Sequence, residues 1–192
     1  MSTTATTLME LDREHALDHL KNGAALVDLR AVDEYAKRHV RGSISLLYEF
    51  GPGMAARARD CLPLDVPLIL LRADVNMSNA AAALRGKGFS VLGVAESDID
   101  TWSEWGPGPA TSSIVDDDVQ PEGFLLDVCD PRRVTHSQAT VVPIERLYAS
   151  VDELASNPRV TVLTGAGVRA ALAVGVLERA GVRKVTLWRK PR

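Results

Sequence analysis

An internal repeat, at a spacing of roughly one hundred residues, constrains the fold of this chain more than any other feature of its sequence. The apolar run at residues 26–30 recurs at 124–129, and the run at 68–71 recurs at 160–163. In both copies short apolar strands alternate with helical segments, which is the pattern of a parallel sheet covered by helices. We therefore predict an α/β chain in which a whole structural unit is duplicated.

Composition narrows the class of protein without choosing a function. The chain has 192 residues and a net charge of -3, which is ordinary for a globular protein and argues against a nucleic-acid partner. Two cysteines are too few for a disulfide framework and fit a reducing, cytoplasmic location. No signal peptide or membrane-spanning run is recognisable. We predict neither cofactor nor metal, because the His15–His19 pair lacks a third ligand.

A change in composition divides the chain into two predicted domains. Residues 8–107 form the first domain and residues 123–192 the second, with a linker at 108–122 that is rich in Gly, Pro, Ser and Asp. The aspartates at 116–118 read as solvated linker residues rather than a metal cage. The second copy is shorter, because it stops before any counterpart of the predicted helix at 99–105.

The candidate site lies at residues 160–181, where a β-branched strand, a small-residue turn and an Ala-rich helix follow one another. Such a turn directs backbone N–H groups towards one point at the positive end of a helix, which favours an anion. A simpler interpretation is that the glycines only let strand and helix pack closely. The predicted anion-binding residues are Thr164, Gly165, Ala166, Gly167, Val168 and Arg169.

These residues resemble the rhodanese family twice over. The first copy matches its motifs closely, and the second copy more loosely. The matching residues are Asp28, Arg30, Asp33, Glu34, Tyr35, His39, Gly42, Ser43, Ser78, Gly88, Phe89 and Trp102 in the first copy, and Asp127, His136, Pro143, Gly167, Arg169, Ala170 and Gly181 in the second. The resemblance implies two tandem rhodanese-like domains, each a small parallel sheet flanked by helices, packed as a pseudo-symmetric pair.

The resemblance implies sulfur transfer through a persulfide on a loop cysteine, which the N–H cradle would activate. Here Arg72 and Thr164 stand at the two nucleophile positions, and neither residue can form a persulfide. The first loop (72–78) is altered further, since Val75 replaces its glycine and Met77 its arginine. We therefore predict a protein without standard sulfurtransferase activity, whose second loop (164–169) binds a small oxyanion, a sulfur compound or a protein partner.

Alternatives remain open for several residues. Cys129, at the end of a strand beside the second loop, is the candidate for a relocated sulfur carrier, although it also fits a space-filling role. Phosphate-ester chemistry would need the same missing nucleophile. Cys61 is interpreted as a structural residue. Arg72 either points to solvent, pairs with Asp74 or neutralises its own pocket, and His39 and His136 are interpreted as structural hydrogen-bonding residues.

Overall fold

The computed structural model describes residues 8–49, 51, 53–96, 98–105, 108–111, 113–116, 119–129, 136–163 and 167–189. Its helices, in chain order, are α1 (Arg13–Lys21), α2 (Val32–Lys37), α3 (Gly53–Cys61), α4 (Met77–Gly86), α5 (Ile99–Trp105), α6 (Ile144–Leu154) and α7 (Val168–Arg179). Its strands are β1 (Ala25–Asp28), β2 (His39–Val40), β3 (Ile44–Ser45), β4 (Leu68–Leu71), β5 (Val91–Ala95), β6 (Pro109–Ala110), β7 (Ser113–Asp116), β8 (Phe124–Asp127), β9 (Thr140–Val141), β10 (Arg159–Val162) and β11 (Lys184–Arg189).

Two parallel sheets, connected by helices, confirm the α/β prediction. The first sheet has the strand order β3-β1-β4-β5, and the second has the order β7-β11-β10-β8-β9. Glu10 forms an isolated parallel bridge to Val94 of β5, at the edge of the first sheet. In the second sheet β7 occupies the equivalent edge, beside β11. The two sheets therefore share one order of connection. We call α1–β6 the N-terminal half and β7–β11, with α6 and α7, the C-terminal half.

The segment predicted to be a linker contains two strands. β6 pairs with β2 of the N-terminal half in an antiparallel ladder, and β7 forms an edge of the second sheet beside β11. The Gly, Pro and Ser residues around these short strands dominate the local composition, which is why the sequence pattern indicated a linker. The second sheet consequently has five strands, one more than the first.

Hydrogen bonds outside the ladders repeat between the halves as the strands do. After β1 and β8 the chain makes the same turn around an aspartate, and a glycine with φ near 100° stands two residues after the last residue of α4 and of α7. Four hydrogen bonds of the N-terminal half have counterparts in the C-terminal half. In the N-terminal half they are Arg30 N–H to Asp28 Oδ1, Leu46 N–H to Asp28 O, Tyr48 N–H to Leu29 O and Gly88 N–H to Arg85 O. Their counterparts, in the same order, are Cys129 N–H to Asp127 Oδ1, Val142 N–H to Asp127 O, Ile144 N–H to Val128 O and Gly181 N–H to Glu178 O.

One hydrophobic core runs through both halves, and α7 lies at its centre. Nine of the twelve residues of α7 are buried, since the helix packs on β11 and α6 of its own half and on β3 and α2 of the other. Small side chains such as Ala170, Ala171 and Ala173 permit this contact on several sides. A second apolar cluster, around Trp102, fills the opposite face of the first sheet beneath α1 and α5.

Candidate functional site

Two equivalent loops follow the central strands at the carboxyl ends of the sheets. The first loop (72–78) follows β4 and runs into α4, and the second loop (164–169) follows β10 and runs into α7. In parallel sheets this edge is where ligands bind, because loops and helix N-termini converge there. The two loops therefore allow a direct comparison of one candidate position in two copies.

The N-terminal end of α4 is occupied by its own cap. The side chain of Asn76 accepts a hydrogen bond from the backbone N–H of Asn79 at 2.9 Å. Val75 donates its N–H to Ala73 O at 2.8 Å, and its side chain packs against the main core together with that of Met77. Apolar contacts of Val75 and Met77 and the asparagine cap thus hold the first loop.

Arg72, at the first nucleophile position, lies at the surface. Its side chain is 48% exposed and pairs with Glu10, while its backbone N–H donates to Ala95 O at 2.9 Å. The hydrogen bond and charge of Glu10 raise the pKa of Arg72. Of the alternatives, the structure gives Arg72 a surface position with Glu10, rather than Asp74, as its ion-pair partner.

The N-terminal end of α7 has a different arrangement. Its N-cap is Gly167, whose extended backbone (φ -92°, ψ 179°) supplies no capping side chain. A Cβ built on Gly167 would meet no atom of the described residues within 4 Å. Val168 is half-buried and Arg169 is exposed. The predicted site residues Thr164, Gly165 and Ala166 lie outside the described residues.

Cys129 lies at the same edge as the second loop. Leu163 donates its N–H to Leu126 O at 2.9 Å, so the chain enters the loop beside the end of β8. Cys129, half-buried, follows that strand end and donates its backbone N–H to Asp127 Oδ1 at 3.0 Å. In the N-terminal half the corresponding residue is Arg30, which forms a bidentate ion pair with Asp28. The hydrogen bond to Asp28 raises the pKa of Arg30. The C-terminal half has a thiol at that position.

Cys61, at the end of α3, is buried and poorly suited to nucleophilic chemistry. Burial raises the pKa of Cys61 to about 11, and the charges of Glu145 and Asp60 add to the rise, against smaller opposing effects of Arg169 and Arg57. α3 packs on α6, so α3 of the N-terminal half contacts the C-terminal half.

Sequence analysis missed the partner of His39. Nε2 of His39 lies 3.0 Å from Oε2 of Glu178, and both side chains are buried between the halves. His136, the other predicted structural histidine, is half-buried, accepts the N–H of Gln138 at Nδ1 and meets the ring of Trp188 edge-on. The available signal for the His39 contact was a glutamate directly after the apolar run 170–177 of α7.

Comparison with known proteins finds a family similar to the N-terminal half. Residues 12–104 match the family model of the rhodanese-like domain, the family that the sequence resembles. A search of curated proteins gives no significant match. Among the described residues, no helix has the length and apolar character needed to cross a bilayer.

Solved structures similar to this chain include three proteins. Thiosulfate sulfurtransferase from Pseudomonas aeruginosa is 18% identical to this chain, with a TM-score of 0.41. The match covers 94% of this chain and 43% of the sulfurtransferase. SseA from Escherichia coli, a 3-mercaptopyruvate sulfotransferase, is 17% identical, with a TM-score of 0.39. The match covers 95% of this chain and 98% of SseA. EanB is 13% identical, with a TM-score of 0.39, and the match covers 98% of this chain and 60% of EanB. The chain thus spans less than half the length of the first of these proteins.

Proposed function

We propose that this chain is a non-catalytic rhodanese-like protein whose second loop, at the N-terminus of α7, binds a small oxyanion or the acidic group of a cytoplasmic partner. The C-terminal half is taken as a second rhodanese-like unit, and the proposal rests on its likeness to the first in strand order and turn hydrogen bonds. Residues 8–107 and 123–192 would be the two units, with β7 of the connecting segment completing the second sheet.

The observation that carries the proposal is the contrast between the two helix ends. Asn76 caps α4 with its own side chain, whereas Gly167 has no side chain with which to cap α7, and a Cβ at Gly167 would meet no described atom within 4 Å. Free N–H groups at a helix N-terminus attract negative charge, and the exposed guanidinium of Arg169 lies in the same first turn. No thiol occupies either position of the family's nucleophile, which supports binding rather than turnover.

Titration with sodium thiosulfate, sulfate and phosphate at constant ionic strength, followed by backbone amide NMR, tests this proposal. We expect the amides of Val168 and Arg169 to shift on titration. Arg169→Ala should weaken binding about tenfold, because it removes a charge-assisted hydrogen bond. Arg72→Ala, a matched exposed arginine at the other loop, should change the affinity less than about twofold. Equal losses in the two variants, or no shift at α7, would refute the anion site.

Cys129 supports a second candidate function, sulfur transfer with a relocated nucleophile. The thiolate would attack the outer sulfur of thiosulfate, the S–S bond would break, and sulfite would leave with the bonding electron pair. The resulting persulfide would pass its outer sulfur to cyanide, which forms thiocyanate and restores the thiolate. The half-buried thiol at the carboxyl edge beside the second loop favours this alternative.

A thiosulfate–cyanide assay separates the two functions. We expect the wild type to give no thiocyanate above the rate of the Cys129→Ala variant, since both family nucleophile positions lack cysteine. Cys61→Ala is the matched control, because a buried thiol with a pKa of about 11 is almost wholly protonated at neutral pH. Turnover that is lost in Cys129→Ala and kept in Cys61→Ala would establish the alternative and overturn the non-catalytic proposal.

A further inference from the structure

A buried pair of titratable side chains joins the two halves far from the second loop. His39 of β2 is fully buried, and Glu178 near the end of α7 is 7% exposed. Nε2 of His39 lies 3.0 Å from Oε2 of Glu178, and the same oxygen accepts the backbone N–H of Gly42 at 2.9 Å. A carboxylate of the C-terminal half is thus held by two groups of the N-terminal half.

The hydrogen bonds fix how many protons this pair holds. Nδ1 of His39 lies 2.8 Å from the carbonyl oxygen of Tyr35, which can only accept, so Nδ1 must carry a hydrogen. The contact between Nε2 and Oε2 then needs one further proton, carried by either the ring or the carboxyl group. Without that proton a nitrogen lone pair would face a carboxylate oxygen in a dry interior, which is strongly unfavourable.

The neighbouring titratable and charged groups have partners of their own. Tyr35 stacks on His39 at 4.0 Å and donates its hydroxyl to Ser43 O; burial, followed by the charges of Glu178 and Asp28, raises the pKa of Tyr35 well above its usual range. Asp28 is paired with Arg30 at the end of β1.

Arg179 and strand β6 are two further neighbours of the His39–Glu178 contact. Arg179 on α7 donates to the carbonyl oxygens of Gly23 and Ala24. β6, which pairs with β2, places uncharged Ala110 opposite His39. The shared proton is therefore left to His39 and Glu178.

We propose that His39 and Glu178 form a proton-dependent latch between the N-terminal half and α7. In an unfolded chain, histidine and glutamate side chains titrate independently, at about pH 6.5 and about pH 4.3. Above about pH 6.5 the unfolded chain has lost the proton that the closed latch keeps, so stability falls as pH rises. Below about pH 4.3 the unfolded chain holds two protons against one, so stability falls again as pH decreases. The latch therefore joins the halves best under mildly acidic conditions.

Glu178→Gln tests the latch because it changes the proton count and keeps the shape. The glutamine amide nitrogen can donate to Nε2 of a neutral His39, so the folded variant needs no shared proton. In that position the nitrogen cannot accept the N–H of Gly42, which lowers the stability of the variant at every pH and cancels in a comparison between two pH values. We compare the difference in melting temperature between the wild type and Glu178→Gln at two pH values. This difference, wild type minus variant, should be about 5–10 °C smaller at pH 7.5 than at pH 5.5. Glu153→Gln, at an exposed glutamate of α6, should follow the wild type at both pH values.

A second readout keeps the proposal testable if the variant does not fold. The wild type has four histidines, and we expect one set of ring signals to stay constant between pH 5.5 and pH 8. His39→Gln, where folded, assigns that constant set by its disappearance. A melting difference constant within about 1 °C, or four shifting ring signals, would overturn the latch.

Discussion

Gly175→Ala is expected to lower the free energy of unfolding by about 3 kcal/mol, which places it among the most damaging single-methyl changes available in this chain. A Cβ at Gly175 would lie 2.2 Å from the carbonyl oxygen of Ser43 and 3.0 Å from Cα of Ile44. Both atoms belong to backbone in or beside β3, so no side-chain rotation can relieve the contact. α7 would have to move away from the first sheet, which opens the shared core.

Urea unfolding of Gly175→Ala beside Gly86→Ala checks this expectation. Gly86 is also helical, in α4, but a Cβ there meets no atom within 4 Å. Gly86→Ala should therefore be neutral or should stabilise by up to about 1 kcal/mol through the lower entropy of the unfolded chain. A loss of less than about 1 kcal/mol for Gly175→Ala would mean that α7 does not pack tightly on the N-terminal half.

Trp102→Ala is expected to cost about 4 kcal/mol, because it empties the centre of the second apolar cluster. Trp102 of α5 is fully buried, and its indole N–H donates to Glu96 O at 2.6 Å. Its neighbours include Leu26 and Ile69 on the outer face of the first sheet. The loss of the ring would leave a cavity that α1 and α5 cannot close without separating from the sheet.

Trp102→Phe separates packing from hydrogen bonding at this position. Phenylalanine keeps most of the apolar volume and leaves Glu96 O without the indole donor, so we expect a loss of about 1–2 kcal/mol. Thermal unfolding monitored by circular dichroism gives both values. If the two variants were equally unstable, the hydrogen bond rather than the packing of Trp102 would hold α5, contrary to this account.

Strands could be predicted where the sequence pattern was strong. The apolar runs at 68–71 and 160–163 were predicted to be strands, and the structure places both inside their sheets, buried on both faces. β7 was missed because its four residues follow a stretch of Gly, Pro and Ser, and nothing local signals that β11 will pair with it. Edge strands gain their structure from such distant partners.

The packing of α7 shows a different limit of sequence reasoning. Its Ala, Val and Leu content predicts a buried helix, but the sequence pattern does not reveal that the neighbouring element is β3 of the other half. Glu178 would ordinarily be interpreted as a surface residue at a helix end. Only the fold brings it to His39 and Gly42, some 140 residues earlier.

The two candidate loops were predicted to differ, which stays a prediction, and the structure adds physical detail for the first loop. Replacement of the loop glycine and arginine by Val75 and Met77 indicated a lost cradle, and both side chains now pack on the core. The cap formed by Asn76 was not foreseen, although an asparagine three residues before Asn79 is a typical N-cap pattern. At Gly167 the absence of such a side chain follows directly from the residue itself.

The most direct test of the central proposal is a crystal structure of the protein grown or soaked with selenate, an oxyanion located by its anomalous scattering. We predict a peak at the N-terminus of α7, about 3 Å from the backbone nitrogens of Val168 or Arg169, and no peak at the capped end of α4. A peak at Asn76, or an unoccupied α7 terminus at saturating selenate, would contradict the proposal that the second loop is an anion-binding site.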